Sequence, residues 1–294
     1  MNEFLKPAAL LVLCAAMQGA PAQDRRTDQV VQDGIAVKPL KSSMWRNITA
    51  PEQAINDQAA QQYTAMMTQA QQKGVLLSAN DLRVRRVRAI AQRIIPQTAR
   101  WNSHAQEWKW EVNVVQSAQV NAFCMPGGRI GVFTGIIDKL RLSDDEIAVV
   151  MGHEIAHALR EHGRERMSKS TTTGLITGIG GAIASALTGY DVRGLANTAG
   201  QMYVLKFSRD EEREADLVGL DIAARAGYDP RAGVVLWNKM AQLNQSAPIE
   251  ILSDHPGGAN RIEQIQSHLD VLLPLYARSK GTTVNRLPPY RSSL

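Results

Sequence analysis

Between Ser143 and Met167 the chain reads Ser-Asp-Asp-Glu-Ile-Ala-Val-Val-Met-Gly-His-Glu-Ile-Ala-His-Ala-Leu-Arg-Glu-His-Gly-Arg-Glu-Arg-Met. The H-E-x-x-H pattern inside it, His153-Glu154-Ile155-Ala156-His157, constrains the fold more than any other stretch. On a helix, residues four apart share one face, one turn apart. His153 and His157 can then offer a ring nitrogen each to one metal ion, and Glu154 can lean over that ion to hold a water. Ser143 with Glu146 three residues on is a capping box. Ile147, Val150, Met151, Ile155, Ala158 and Leu159 form an apolar stripe that predicts a buried helix. A buried helix carrying two histidines and a glutamate with no metal would leave the carboxylate without a partner, which is costly.

The beginning of the chain sets the expected compartment. Lys6 ends a short polar start, Pro7–Met17 is apolar, and Ala20-Pro21-Ala22 is a small-x-small cleavage signal. Residues 1–22 therefore read as a secretory signal peptide, too short for a permanent bilayer anchor. Cys14 raises lipid attachment as a second reading, although Leu13 stands where a lipoprotein signal wants a small residue. With Cys14 gone, Cys124 is the only cysteine, and no internal disulfide can form. The net charge of +5 fits either an envelope protein near anionic lipid or an ordinary solvated surface. Zinc-finger spacing and aromatic–basic interleaving are both missing, so nucleic acid is not an expected partner.

Four segments are expected along the chain: the signal peptide, an N-terminal arm over 23–50, one domain over 51–272 and a C-terminal tail over 273–294, polar and disordered from about Ala277. Residues 51–72 predict a helix ended by Gly74, and a second runs from Asn80-Asp81 to Pro96. The second carries Arg83, Arg85, Arg86, Arg88 and Arg93, read as the wet face of an amphipathic helix. Strands are expected at 108–116, 120–125 and 129–134, followed by a short helix at 135–140. Asn121-Ala122-Phe123-Cys124 is the candidate edge strand, because such an edge can pair with an extended substrate backbone. Residues 170–190 carry no charge until Asp191 and are interrupted by glycines. They read as a loose helical segment beside the site, a lid or membrane-surface element, rather than a span. Helices are expected at 208–226, 231–243 and 259–269, with no internal repeats.

A catalytic zinc takes three protein ligands and keeps one position for water. A third histidine ten residues after His153 is excluded, since Gly163 stands there. His162, about 140° round a continuous helix from His157, is expected to face solvent. The acid-rich stretch 208–226 offers two carboxylate pairs at i, i+4: Asp210 with Glu214, and Glu212 with Asp216. Spacing favours Glu212 and Asp216 modestly and leaves Glu211 and Glu214 open.

His-Glu-Ile-Ala-His, then Glu212-Arg213-Glu214-Ala215-Asp216, then His255-Pro256 with Arg261, resembles the CAAX prenyl endopeptidase/HtpX-like zinc metallopeptidase family. Asn121-Ala122-Phe123, Pro126-Gly127-Gly128-Arg129-Ile130 and Thr134-Gly135 resemble its soluble bacterial envelope branch, the BepA- and LoiP-like proteins. The resemblance covers roughly residues 80–270. It implies an α+β, mostly helical, zincin-type (gluzincin) fold with a small β-sheet beside the H-E-x-x-H helix. It implies one Zn2+ held by His153, His157 and Glu212. Glu154 becomes the general base toward zinc-bound water, Asp216 an acid that orients a ligand histidine, and His255 a group near the metal or the oxyanion. Asn121, Ala122 and Phe123 become substrate-binding. Cys124 departs from the aliphatic residue expected after Asn-Ala-Phe. The implied activity is endopeptidase hydrolysis of misfolded or unassembled envelope proteins in the periplasm, with recruitment by an outer-membrane or membrane-associated partner. Two rivals stand beside it: a chaperone-like outer-membrane assembly factor with a mainly structural zinc, and a membrane-embedded prenyl-protein endopeptidase.

Overall fold

The H-E-x-x-H helix is capped as its sequence predicts, and everything else packs around it. In the computed structural model, which describes residues 34–40, 47–48, 50–172, 207–246, 248–255 and 259–292, the elements follow in this order. Helices α1 (Glu52–Gln72) and α2 (Leu82–Ile94) precede the strands β1 (Glu111–Val115), β2 (Ala122–Met125) and β3 (Arg129–Phe133). Then come α3 (Thr134–Lys139), the motif helix α4 (Asp144–Leu159), α5 (His162–Thr172) and the acidic helix α6 (Arg209–Arg225). The chain ends with α7 (Ala232–Ser246), α8 (Glu250–Asp254), α9 (Ala259–Ser267) and α10 (Leu269–Ser279). The mostly helical α+β architecture with a small sheet is therefore present. The expected signal peptide and the uncharged stretch 173–190 lie outside the described residues. Among the described residues no helix is long and apolar enough to cross a membrane.

The sheet has the order β1-β3-β2, with β1 parallel to β3 and β2 antiparallel to it. β2 is therefore an edge, and it lies against α4. Ala122 faces the main core around α4, whereas Phe123 packs on the opposite side with Tyr63 and Phe133, under α1. Gly131 accommodates this, because a Cβ there would meet the Phe123 ring at 2.2 Å.

Ser143 accepts from the Glu146 amide, and Glu146 accepts from the Ser143 amide, closing the capping box. The apolar stripe underestimates how central α4 is. Every residue from Glu146 to Leu159 is buried, because β2, α2, α6 and α7 surround the helix. The approach of α6 is the closest. A Cβ at Gly152 would stand 2.5 Å from the Gly219 carbonyl oxygen, and one at Gly219 would stand 2.6 Å from the His153 amide nitrogen. Only paired glycines allow two helix backbones to approach this closely.

Two expectations change. The arginines of α2 are more than a wet face: Arg85 is exposed as expected, but the other four reach partners. Arg83 pairs with Asp81 and Asp138, Arg86 with Asp144, Arg88 donates to the Val112 carbonyl, and Arg93 stacks on Tyr228. Their long stems reach neighbouring elements, so they fasten α2 to the sheet side and to the starts of α4 and α7. The C-terminal stretch, expected as disordered from about Ala277, is ordered as far as Ser292. Leu272, Leu275 and Ala277 bury one face of α10, mainly against α6. Arg231 then holds the Pro288 carbonyl, and Ser292 donates to the buried Glu146 carboxylate. Its polar composition conceals these anchors, because a few buried partners decide order in a polar segment.

Candidate metal centre

Four donor groups, on His153, His157, Glu212 and His255, lie within 4.8 Å of one another, and all four residues are buried. The α4 spacing sets the two motif rings one turn apart, with their Nε2 atoms 3.1 Å from each other. The glycine crossing brings α6 alongside. Glu212 then places Oε2 3.4 Å from His153 Nε2 and Oε1 3.5 Å from His157 Nε2. His255, just past α8, brings Nδ1 to 3.0 Å from Glu212 Oε1 and 3.2 Å from His153 Nε2. Ligand atoms about 2.0–2.1 Å from a tetrahedral zinc stand roughly 3.3 Å apart. The observed spacings bracket that edge length, so the donor set fits a single divalent ion.

The electrostatics favour the same conclusion. Burial, then the neighbouring His153 and His255 rings, push His157 well below its ordinary pKa, so its ring is neutral and free to ligate. Burial alone would lower His153 too, but its hydrogen bonds to Asp216 and Glu212 outweigh that and raise it to about 9. The cluster thus favours positive charge at its centre, which a metal ion would supply in place of that proton. Burial disfavours charge on Glu212, yet hydrogen bonds from His153 and His255 hold it well below the usual carboxylate range.

Asp216, one turn beyond Glu212, faces His153 Nδ1 at 3.1 Å. Arg261, from α9, donates to both Asp216 oxygens and to Glu212 Oε2, each at 2.6 Å, and lies 3.7 Å over the Trp237 ring. Its guanidinium lets two carboxylates sit side by side in the interior. Asp216 is enclosed, but Arg261 and His153 overcome the burial penalty and hold its carboxyl low.

Glu154 differs from the other acids. Its Oε1 is buried with no hydrogen-bond partner, and His255 Nε2 stands 3.7 Å away. An apolar cavity lined by Val150, Leu236, Trp237, Met240 and Ile251 opens beside it. Burial pushes the Glu154 carboxyl above the ordinary range.

The acids that spacing left open are elsewhere. Glu211 closes the capping box of α6 with Ser208 and pairs with Arg166 at 2.8 Å. Glu214 binds Arg160 at 2.7 Å and His162 at 3.2 Å. His162 itself corrects the expectation of a solvent-facing ring: it is buried, with Nδ1 3.0 Å from His157 Nδ1. The projection of about 140° assumed an unbroken helix. In fact α4 ends at Leu159, Glu161 takes a left-handed φ of 57°, and α5 starts at His162. The turn swings the ring back toward the motif.

Sequence reasoning also missed Phe207, whose ring lies 3.9 Å from that of His157 and 5.2 Å from that of His255. Its position just before the Ser208 cap was a signal, since an apolar residue there anchors the entry of a helix. Asn121 and Ala122 lie on the sheet edge, with the Asn121 carbonyl accepting from Phe133 of β3. Alternation then turns the Ala122 and Cys124 backbone groups outward. Burial raises the Cys124 thiol far above neutrality, so it offers no thiolate to a metal.

Comparison with known proteins agrees with this geometry. A model described as "Peptidase family M48" matches residues 81–269, well over half of the chain. The mitochondrial metalloendopeptidase OMA1 of Arabidopsis thaliana is 39% identical over 160 residues, covering 54% of this chain and 31% of that protein. The metalloprotease LoiP of Escherichia coli is 26% identical over 221 residues, covering 75% of this chain and 81% of its own length. The beta-barrel assembly-enhancing protease of Yersinia pestis is 26% identical over 183 residues, covering 59% and 37% respectively. The chain spans between 31% and 52% of the OMA1 relatives. Similarity thus extends from bacterial proteases to mitochondrial ones, and the chain belongs to peptidase family M48.

Proposed function

We propose that this protein is a zinc-dependent endopeptidase, with His153, His157 and Glu212 as its metal ligands and Glu154 as its general base. The observation that carries the reading is the contrast inside one buried cluster. Three donors stand at tetrahedral spacing, and beside them one carboxylate oxygen, Glu154 Oε1, is buried with no hydrogen-bond partner among the described residues. A metal held only for structure has no use for such a group, whereas a hydrolase does.

Zinc in this site supplies a Lewis acid and lowers the pKa of water toward neutrality. The chain's own groups do the rest. The Glu154 carboxyl, raised by burial, takes the proton of the attacking water and returns it to the leaving amine. Asp216 holds His153 by its Nδ1 proton, and Arg261 holds Asp216. The outward Ala122 carbonyl and the Cys124 backbone groups pair with an extended substrate, as an added strand on β2, while the Ala122 amide donates to Asn121 Oδ1. Among the described residues no strand covers that edge.

One observation favours the rival reading of a mainly structural zinc. His255 completes a set of four protein donors, and structural zinc sites are closed in this way. Under the peptidase reading His153, His157 and Glu212 would hold the ion without His255, and the fourth position would be left to water. Replacing Glu154 with Gln separates the two: the variant is expected to keep its zinc and lose cleavage of casein. Cleavage that survives Glu154→Gln would end the peptidase reading. His255→Ala adds a second arm: retained zinc with equal or faster cleavage supports the peptidase, and loss of zinc supports the structural site.

The substrates we infer are misfolded or unassembled envelope proteins, and the compartment is the periplasm. The support is the leader-like start of the chain and its similarity to the metalloprotease LoiP of Escherichia coli and the beta-barrel assembly-enhancing protease of Yersinia pestis. The name of the Yersinia protein, which refers to β-barrel assembly, makes an outer-membrane partner the first to test. Co-purification from envelope fractions with the Glu154→Gln variant, which would hold substrates uncut, checks this.

A further inference from the structure

Among the described residues, His157 meets no carboxylate through its Nδ1. Its Nδ1 meets another imidazole nitrogen, His162 Nδ1, at 3.0 Å, and the two rings stand edge to face at 75°. His162 is 2% exposed, and its Nε2 lies 3.2 Å from Glu214 Oε2. Glu214 is in turn gripped by Arg160 Nε at 2.7 Å.

These contacts determine where the protons sit. A carboxylate paired with a guanidinium only accepts, so the His162 proton lies on Nε2 and points at Glu214. With a single proton on the ring, His162 Nδ1 is then a bare acceptor facing His157 Nδ1. Two bare nitrogens cannot face each other at hydrogen-bond distance, so the proton between the rings belongs to His157 Nδ1. That leaves the His157 Nε2 lone pair directed into the donor cluster. The opposite arrangement, with a proton on His162 Nδ1, would force the His157 proton onto Nε2 and remove the lone pair a metal needs.

We propose that His162 is a positioning residue of the metal centre: through Glu214 and Arg160 it fixes His157 as the tautomer that ligates through Nε2. The inference rests on the reading of His157 as a metal ligand, and it adds a residue outside the H-E-x-x-H motif. Glu214 thereby gains a role that its helix position alone would not give it. It lies two residues from Glu212, on a different face of α6, and reaches the same metal from behind the other motif histidine.

The test is a chelator competition for Zn2+ on the full chain, comparing wild type with His157→Ala, His162→Phe and His162→Asn. Long-range 1H–15N spectra of the imidazoles in the metal-free proteins serve as a second readout. Loss of an outer hydrogen-bond partner typically weakens metal binding by about 10–100-fold. His162→Phe, which fills the space but accepts no proton, is expected to fall in that range, with His157 losing its uniform Nδ1–H signature. His162→Asn presents a carbonyl oxygen near the old Nδ1 position and is expected to recover most of the affinity.

Wild-type affinity in a folded His162→Phe variant would overturn the inference, as would equal weakness of the Phe and Asn variants. If His162→Phe does not fold, Glu214→Ala decides. It is expected to weaken zinc binding and to mix the His157 tautomers, and an unchanged variant would overturn the proposal. Equal zinc binding by wild type and His157→Ala would instead remove the metal-centre reading itself.

Discussion

His153 and His157 sit one turn apart on α4, yet they are supported differently from behind. His153 meets Asp216 directly, and Arg261 clamps that carboxylate through two nitrogens. His157 is backed through a second imidazole, and a carboxylate stands only beyond it, at Glu214. The first support is short, fully buried and shared with Glu212 through Arg261. The second is longer, and Glu214 keeps 26% of its side chain exposed. The difference follows from helix geometry. The glycine crossing draws the Glu212–Asp216 face of α6 under His153, while Glu214 points toward the turn where α5 begins. Interactions on the His153 side should therefore cost more to remove.

The largest effect is expected from Arg261→Met. It strands Glu212 and Asp216 together in the interior, and breaking a buried pair costs about 3–5 kcal/mol. Urea denaturation should show this loss, and both histidines should lose zinc. Gly219→Ala comes next. Its new methyl group would collide with the α4 backbone, and overpacking of this kind costs about 1–3 kcal/mol. The urea midpoint and the zinc content should fall together, because the crossing places the α6 carboxylates. A smaller value for Gly219→Ala than for a surface alanine substitution would contradict the role given to the crossing.

Acid separates the two sides more finely. Asp216 and Glu214 are both held below their ordinary values of 3.8 and 4.5. For Glu214 burial acts upward, and the His162 and Arg160 contacts outweigh it. With a depressed folded pKa, the stabilisation is present above the unfolded value and is lost as pH falls through the folded one. Stability should thus decline below about pH 4.5. Asp216→Asn should flatten that decline more than Glu214→Gln, since solvent screens the partly exposed Glu214. Urea midpoints across the acid range check the order. The smallest effect is expected from Glu214→Gln on zinc affinity at neutral pH, because the amide carbonyl still accepts from His162. A loss there as large as that of Asp216→Asn would erase the difference between the two supports.

Much of this was legible in the chain because it is local. The capping boxes at Ser143 and Ser208 and the i, i+4 histidine pair depend on residues a few positions apart. Helix and strand positions follow the hydrophobic period in the same way. His162 was misjudged because one residue, Glu161, leaves the helical conformation. A projection along an ideal helix cannot see that break. The ordered C-terminal stretch was missed for a different reason: Ser292 is held by Glu146, 146 residues earlier, and nothing near Ser292 announces it. The arginines of α2 likewise look like a solvated face until Asp138, Asp144 and the Val112 carbonyl are brought beside them.

The amino-acid order by itself determined that a helix would present two imidazoles and a carboxylate on neighbouring positions, because backbone periodicity and end-capping act over one or two turns. Only the tertiary structure decided which of the acids of α6 faces those rings, that His255 joins them, and that His162 stands behind His157. Those choices depend on how closely Gly152 and Gly219 let two helices cross and on how one left-handed residue redirects the chain. Distances between segments far apart in sequence are set by packing, and local spacing carries no record of them.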